Sequence, residues 1–216
     1  MSIIFLVYIS VFLYNDIKIK NAGDFMKKEQ IIKITMAAMF MAIGLVLPFI
    51  TGQIPAVANM LLPMHLPVLL CGLICGPIYG GIVGAILPLL RCLLFQMPKV
   101  ATAIPMSYEL FTYGLVIGIV YSIMRKKVNK NIVAVYISLI IAMLLGRAVW
   151  ALPKYLVMTY MLGNNDFTFK FFIMEAFVNS VLGIVIQLIL IPAIMEILLK
   201  THLIPIDKTK RAGEQS

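Results

Sequence analysis

Long apolar stretches, interrupted by short polar segments, occupy most of the chain. A helix that crosses the hydrocarbon core of a bilayer needs about 20 mainly apolar residues, so each stretch is a candidate for a membrane span. The stretches lie near residues 31–50, 61–76, 79–95, 105–124, 132–152 and 171–199. The pattern predicts an all-α fold, an integral membrane bundle of about six transmembrane helices formed by residues 26–200 as one domain.

The second and third stretches are expected to form a helical hairpin around which the bundle is organised. Proline cannot donate a backbone hydrogen bond and glycine tolerates a tight reversal, so Gly76, Pro77 and Gly80 predict a short turn. Glycines also let neighbouring helix backbones approach closely in a bilayer. They recur through the hairpin at Gly72, Gly76, Gly80, Gly81 and Gly84. We therefore expect this hairpin to pack tightly.

Composition and charge agree with a membrane protein. Hydrophobic residues make up 62% of the chain and charged residues 12%, whereas soluble domains carry about 25% charged residues. The net charge is +9, but the basic residues fall in short clusters between the apolar stretches. Those near the predicted inner ends are at positions 27, 28, 33, 125, 126, 127, 130, 200, 208, 210 and 211, against 99 and 170 in the predicted outer loops. The positive-inside rule then predicts cytoplasmic N- and C-termini and disfavours nucleic-acid binding.

The two ends of the chain differ from the predicted bundle. The apolar run at residues 3–14 is too short for a spanning helix, and it lacks the basic start and small-residue cleavage site of a signal peptide. Because Met26 is followed by Lys27 and Lys28, as in an ordinary bacterial start, we hypothesise that residues 1–25 are an upstream extension produced by a mis-called start. Residues 201–216 form a polar, basic tail that is expected in the cytoplasm.

Ionisable and polar residues inside the predicted spans concentrate in their outer halves. Such residues are costly in a membrane, so each is a candidate for function. With the single tryptophan and with Lys154, which follows the fifth span, the candidate set comprises His65, Arg91, Glu109, Arg147, Trp150, Lys154, Glu175 and Asn179. The set predicts a water-accessible outer pocket with a surplus of positive charge, which suits a substrate that carries a carboxylate. The alternative is that the charges form structural pairs and the aromatic residues an interfacial belt.

No catalytic or metal-binding motif accompanies these residues. The chain lacks HExxH, GxSxG and a nucleotide-binding loop, and we expect no cofactor and no catalytic residue. Cys71, Cys75 and Cys92 lie in apolar runs without a metal-type spacing and are interpreted as packing residues. A stand-alone secondary transporter, an intramembrane enzyme and a structural membrane protein remain open alternatives from these residues.

The first span contains a pair of small residues, Ala38 and Ala42, one helical turn apart. Small-xxx-small pairs give a helix a smooth face for close contact with another helix. Taken alone, this pair predicts packing against a neighbour within the same chain.

The hairpin PMHLPVLLCGLICGPIYGGIVGAILPLLR, together with AMFMA in the first span, resembles the substrate-binding S components of energy-coupling factor (ECF) transporters. The resemblance covers residues 26–200. It implies a vitamin-binding subunit of the bacterial cell membrane, with an outer pocket that is covered by loops. It also implies that Ala38 and Ala42 dock on a transmembrane T component, which is driven by two ATPase subunits.

The segments ITGQIP, NMLLPMHLPVLLCG, PLLR and YELFTYG are most similar to S components associated with pantothenate. Lipoate, riboflavin, a pyrimidine precursor of thiamin and other vitamins stay open as substrates. A metal-ion S component is disfavoured, because the chain has only His65 and His202 as histidines.

Overall fold

Six helices make up nearly all of the chain that the computed structural model describes, namely residues 22–50, 62–128, 130–161, 174 and 180–200. They are α1 (Ala22–Ile50), α2 (His65–Cys75), α3 (Pro77–Phe95), α4 (Val100–Lys127), α5 (Asn131–Leu156) and α6 (Val181–Lys200). All except α2 are long and apolar enough to cross a membrane. The predicted all-α bundle is therefore confirmed, with five long helices and one short one.

Large apolar side chains cover the outside of the bundle. Leu93 on α3 is 79% exposed and Ile189 on α6 is 65% exposed, as lipid-facing residues should be. Helices α2, α3 and α4 pack against one another in the interior of the bundle. Helix α5 packs along α4, and α1 packs against α2 and α3. The end of the bundle that carries Lys33, Lys130 and the last turn of α4 is called the basic end below.

Helix α2 is shorter than the span predicted at residues 61–76. It has 11 residues and a length of about 16 Å, against about 30 Å of hydrocarbon in a bilayer. Leu62 has a positive φ of 49° and Pro63 stands in the turn that follows, so the helix begins only at His65. Every residue of α2 is buried. Its first residue consequently lies inside the bundle instead of at a membrane surface.

The turn between α2 and α3 is confirmed at Gly76 and Pro77. Gly76 has a φ of +100°, a conformation that L side chains rarely adopt, and Pro77 is the first residue of α3. Gly80, which was predicted to belong to the turn, lies inside α3 instead. It packs there against Gly72 of α2 and Gly114 of α4. The predicted close packing of the hairpin is thus confirmed and includes a third helix.

Several helix ends differ from the sequence prediction. Helix α4 begins at Val100, about five residues before the predicted start at Pro105, which therefore lies inside the helix. Helix α5 passes Pro153 and continues as a π-helical turn at Val157–Met161, so it is longer than the predicted span at residues 132–152. Helix α1 begins upstream of Met26, whereas residues 1–21 and 201–216 lie outside the described residues.

Candidate functional site

Glu109 and Arg147 lie at the same depth of the bundle, far from its basic end. Helices α4 and α5 are joined by a short connection and pack along their length. At 1.5 Å per residue, Glu109 is about 27 Å from Lys127, and Arg147 is about 24 Å from Asn131. The two charges therefore meet in the half of the bundle that the basic clusters predict to face outward.

The two side chains form the centre of a buried polar cluster, defined here as His65, Glu109, Tyr113 and Arg147. Nη1 of Arg147 lies 3.0 Å from Oε1 of Glu109. The hydroxyl of Tyr113 donates a hydrogen bond of 3.0 Å to the same oxygen. Nε2 of His65 is 3.5 Å away from that oxygen, beyond an ordinary hydrogen bond. All four residues are at most 5% exposed, so one carboxylate organises the cluster out of contact with solvent.

Local sequence explains how each member reaches the cluster. Glu109 and Tyr113 are one turn apart on α4 and share a face. Gly146, next to Arg147, makes room for the Tyr113 ring, because a Cβ at this glycine would overlap two ring carbons. His65 is the first residue of α2, and the positive end of that helix dipole is therefore directed into the cluster near the carboxylate. The Nδ1 atom of His65 has no hydrogen-bond partner among the described residues.

Trp150 and Lys154 extend the cluster along α5. Spacings of three and four residues place Arg147, Trp150 and Lys154 on one helix face. Trp150 is 7% exposed, and Nζ of Lys154 lies 5.4 Å from the centroid of its ring, within cation–π distance. The structure therefore brings five predicted site residues to one region: His65, Glu109, Arg147, Trp150 and Lys154.

Arg91 lies elsewhere, between α1 and α3. It donates a hydrogen bond to the carbonyl of Leu45, and its guanidinium lies 4.9 Å and 5.4 Å from the ring centroids of Phe49 and Phe95. Pro48 interrupts the hydrogen bonding of α1 one turn after the acceptor carbonyl. These contacts favour a structural role for Arg91, and its role as a pocket residue stays a prediction.

Two predicted site residues, Glu175 and Asn179, lie outside the described residues. One buried polar residue was missed: Gln187 of α6 is 1% exposed, and neither atom of its amide has a hydrogen-bond partner in the described part of the chain. Burial of an amide without a hydrogen-bond partner costs free energy, so we expect the amide of Gln187 to bind a ligand, a water molecule or a polar neighbour. The sequence does carry a signal for it, because Gln187 stands alone between apolar residues from 181 to 195.

Ala38 and Ala42 are both exposed on the outside of α1. The inward face of this helix is formed instead by Ala37, Phe40 and Gly44, and a Cβ at Gly44 would overlap the Leu87 side chain. The small pair is therefore not used for packing within the described chain. Its smooth face is left open toward the membrane.

The described residues contain no group of His, Cys, Asp and Glu that could hold a metal ion. Cys71 and Cys75 are buried and free in α2, in agreement with their interpretation as packing residues.

A family model described as "ECF transporter, substrate-specific component" matches residues 32–202, which is most of the chain. The chain belongs to this family. The resemblance drawn from the hairpin and the first span is thereby confirmed at the level of the S component. Searches of curated proteins and of solved structures returned no match.

Family membership settles the class of activity. The S component is a non-catalytic, substrate-binding subunit of a transporter in the cell membrane, and it works with a T component and ATPase subunits. An intramembrane enzyme and a stand-alone secondary transporter are therefore set aside.

Proposed function

We propose that this S component captures a small vitamin with a carboxylate group, with pantothenate as the best candidate, in a pocket on the outer side of the membrane. One observation carries the proposal: Arg147, Trp150 and Lys154 follow one another on the same face of α5. This arrangement offers a carboxylate two cations and offers the apolar part of the ligand an aromatic surface.

The two cations, Arg147 and Lys154, differ in their partners within the protein. Glu109 already balances Arg147, and it fixes the guanidinium through Nη1. An arginine has five N–H donors in a rigid fork, so the guanidinium of Arg147 can serve more than one acceptor. Lys154 has its aromatic contact but no carboxylate partner among the described residues. The ligand carboxylate is therefore assigned to Lys154, with support from Arg147.

Neutral polar groups of the protein would form hydrogen bonds with the parts of the vitamin outside its carboxylate. Pantothenate carries an amide and hydroxyl groups, which need hydrogen-bond partners once they leave water. The amide of Gln187 and the Nδ1 atom of His65, which have no hydrogen-bond partner among the described residues, are suited to this role. Glu175 and Asn179 are further candidates from the sequence.

Delivery would proceed by docking on the T component through Ala38 and Ala42. Their exposure on α1 supports this role, because small residues allow close helix contact in a membrane and this pair has no such contact within the described chain. ATP hydrolysis is assigned to the separate ATPase subunits.

Calorimetric titration of the detergent-solubilised protein tests the proposal directly. The ligands are pantothenate, panthenol, in which an alcohol replaces the carboxylate, and a panel of other vitamins. We expect one-to-one binding of pantothenate and at least about tenfold weaker binding of panthenol, as for loss of one charge-assisted hydrogen bond. Equal binding of the two would overturn the assignment of the carboxylate. Binding of a different vitamin alone would overturn pantothenate as the substrate.

A further inference from the structure

A second candidate site lies at the opposite end of the bundle from the buried polar cluster. A cavity of about 730 Å³ opens around the turn between α2 and α3 and beside the last turns of α4. Its polar lining comprises Lys33, Tyr79, Tyr121, Ser122, Arg125 and Lys126. We propose that this cavity binds the phosphate headgroup of an anionic phospholipid from the inner leaflet.

Charge is the first argument. Three basic side chains from two helices, Lys33, Arg125 and Lys126, line the cavity, and its described lining contains no Asp or Glu. Glu29 does approach Lys33, at 2.6 Å, but this pair is partly exposed and such surface pairs hold their partners weakly. The cavity therefore presents a positive field to an anion.

The helix geometry adds donors for a phosphate. Ile78 and Tyr79, which line the cavity, are in the first turn of α3, where backbone N–H groups have no partner inside the helix. Helix N-termini with such groups favour anions. The hydroxyl group of Tyr79 supplies a further donor in the same lining, whereas that of Ser122 already donates to the Gly118 carbonyl.

The apolar walls favour a lipid over a free phosphate ion. Leu73, Ile74 and Ile78 line the cavity beside the basic residues, and Ile78 is 69% exposed on the outside of α3. A phospholipid would occupy both the basic part and the apolar part of the cavity. Its headgroup would lie among the cations, and its acyl chain would lie along Ile78. Basic pockets between helices on the cytoplasmic side are suited to anionic headgroups. A free phosphate would leave the apolar wall unused.

The proposal is tested on the full chain in dodecyl maltoside. Dioctanoyl phosphatidylglycerol is titrated, dioctanoyl phosphatidylcholine and inorganic phosphate serve as comparison ligands, and native mass spectrometry counts the bound molecules. The test variants are Lys33→Gln/Lys126→Gln, which removes two cations from the lining, and Ile78→Trp, which narrows the mouth at an exposed position. The matched control is Lys127→Gln/Lys130→Gln, which removes two exposed cations outside the lining.

We expect one phosphatidylglycerol per protein and weak binding of both comparison ligands. The lining variant should lose about 25-fold in affinity, since each basic residue near an anionic lipid surface contributes a factor of about five. Ile78→Trp should also weaken binding, and the control should not. Equal losses in the lining and control variants would overturn the site in favour of diffuse surface charge. Binding of inorganic phosphate as tight as that of the lipid, or no saturable lipid binding, would overturn the lipid assignment.

Discussion

Arg147 of α5 and Glu109 of α4 form an ion pair inside the bundle, with 3.0 Å between Nη1 and Oε1 and side chains that are 6% and 3% exposed. In such a dry environment each charge depends on the other, because neither can recover its hydration. The hydroxyl of Tyr113 is bound to the same carboxylate oxygen. The pair therefore connects the two helices at the depth of the proposed pocket.

Replacing one partner of this pair should destabilise the protein strongly. In Glu109→Gln, the buried guanidinium of Arg147 loses the carboxylate that lies 3.0 Å from its Nη1 atom, and the loss of one partner costs about 3–5 kcal/mol in comparable pairs. The double variant Glu109→Gln/Arg147→Met should lose less stability than the sum of its two single variants. Thermal unfolding of the detergent-solubilised proteins, followed by intrinsic fluorescence, measures both effects.

An exposed pair provides the control for that experiment. Glu196 and Lys200 of α6 lie 2.9 Å apart, with side chains 53% and 76% exposed. Because water screens such a pair, Glu196→Gln should change stability by less than about 1 kcal/mol. Similar losses in Glu109→Gln and Glu196→Gln would contradict the importance of the buried pair.

Arg91 tests the distinction between a structural and a ligand-binding charge. Arg91→Gln removes the hydrogen bond to the Leu45 carbonyl and the contacts with Phe49 and Phe95. We expect a lower unfolding temperature, since a half-buried carbonyl loses a charged donor, at a cost of about 1.5–3 kcal/mol. Vitamin affinity of the folded variant, measured by calorimetry below its unfolding temperature, should change less than about twofold. A large loss of affinity with an unchanged unfolding temperature would place Arg91 in the pocket after all.

The sequence predicted the helical bundle and much of the site because both depend on patterns that a membrane makes strict. Apolar length identifies a span, and a charge within a span must be paired or functional. That reasoning found His65, Glu109 and Arg147, which the structure places around one carboxylate oxygen. The sequence reasoning could not distinguish these three residues from Arg91. The depth of a residue along a helix does not show which neighbouring helix its side chain faces.

The short helix α2 shows where apolar patterns stop being informative. Apolar residues on all sides fit a lipid-facing span and a buried core helix equally well, and only the contacts of α2 with α1, α3 and α4 decide between them. The part that Tyr113 plays in the cluster likewise depends on the space beside Gly146. Such three-dimensional fits leave no periodic trace in the chain.

The close approach of α3 and α4 predicts opposite outcomes for two glycines. In Gly114→Ala, the new Cβ would meet the backbone of Gly80, which cannot move without separating the helices. In Gly81→Ala, it would lie 3.3 Å from a ring carbon of Phe111, a side chain that can turn away. We expect a loss of about 1–3 kcal/mol for Gly114→Ala and less than about 1 kcal/mol for Gly81→Ala. Thermal unfolding of both variants shows which of them loses more stability. Equal stability of the two variants would contradict the tight packing of α3 against α4 at Gly114.

The exposed face of α1 predicts a variant that separates binding from transport. Ala38→Trp places a large ring on the proposed docking surface, where residue 38 is exposed on the described part of the bundle. Vitamin binding by the isolated protein should be unchanged, because the substitution does not disturb the interior. Uptake by cells that contain the whole transporter should fall to background, since close helix contact requires small residues. Radiolabelled vitamin gives both readouts.

Ile140→Trp on α5 is the matched control, because residue 140 is 48% exposed to the membrane on a different helix. It adds the same ring to the lipid-facing surface and should leave uptake intact. Loss of uptake in both variants would point to a general effect of bulk in the membrane. Normal uptake in Ala38→Trp would overturn the docking surface while leaving the family assignment and the proposed pocket in place.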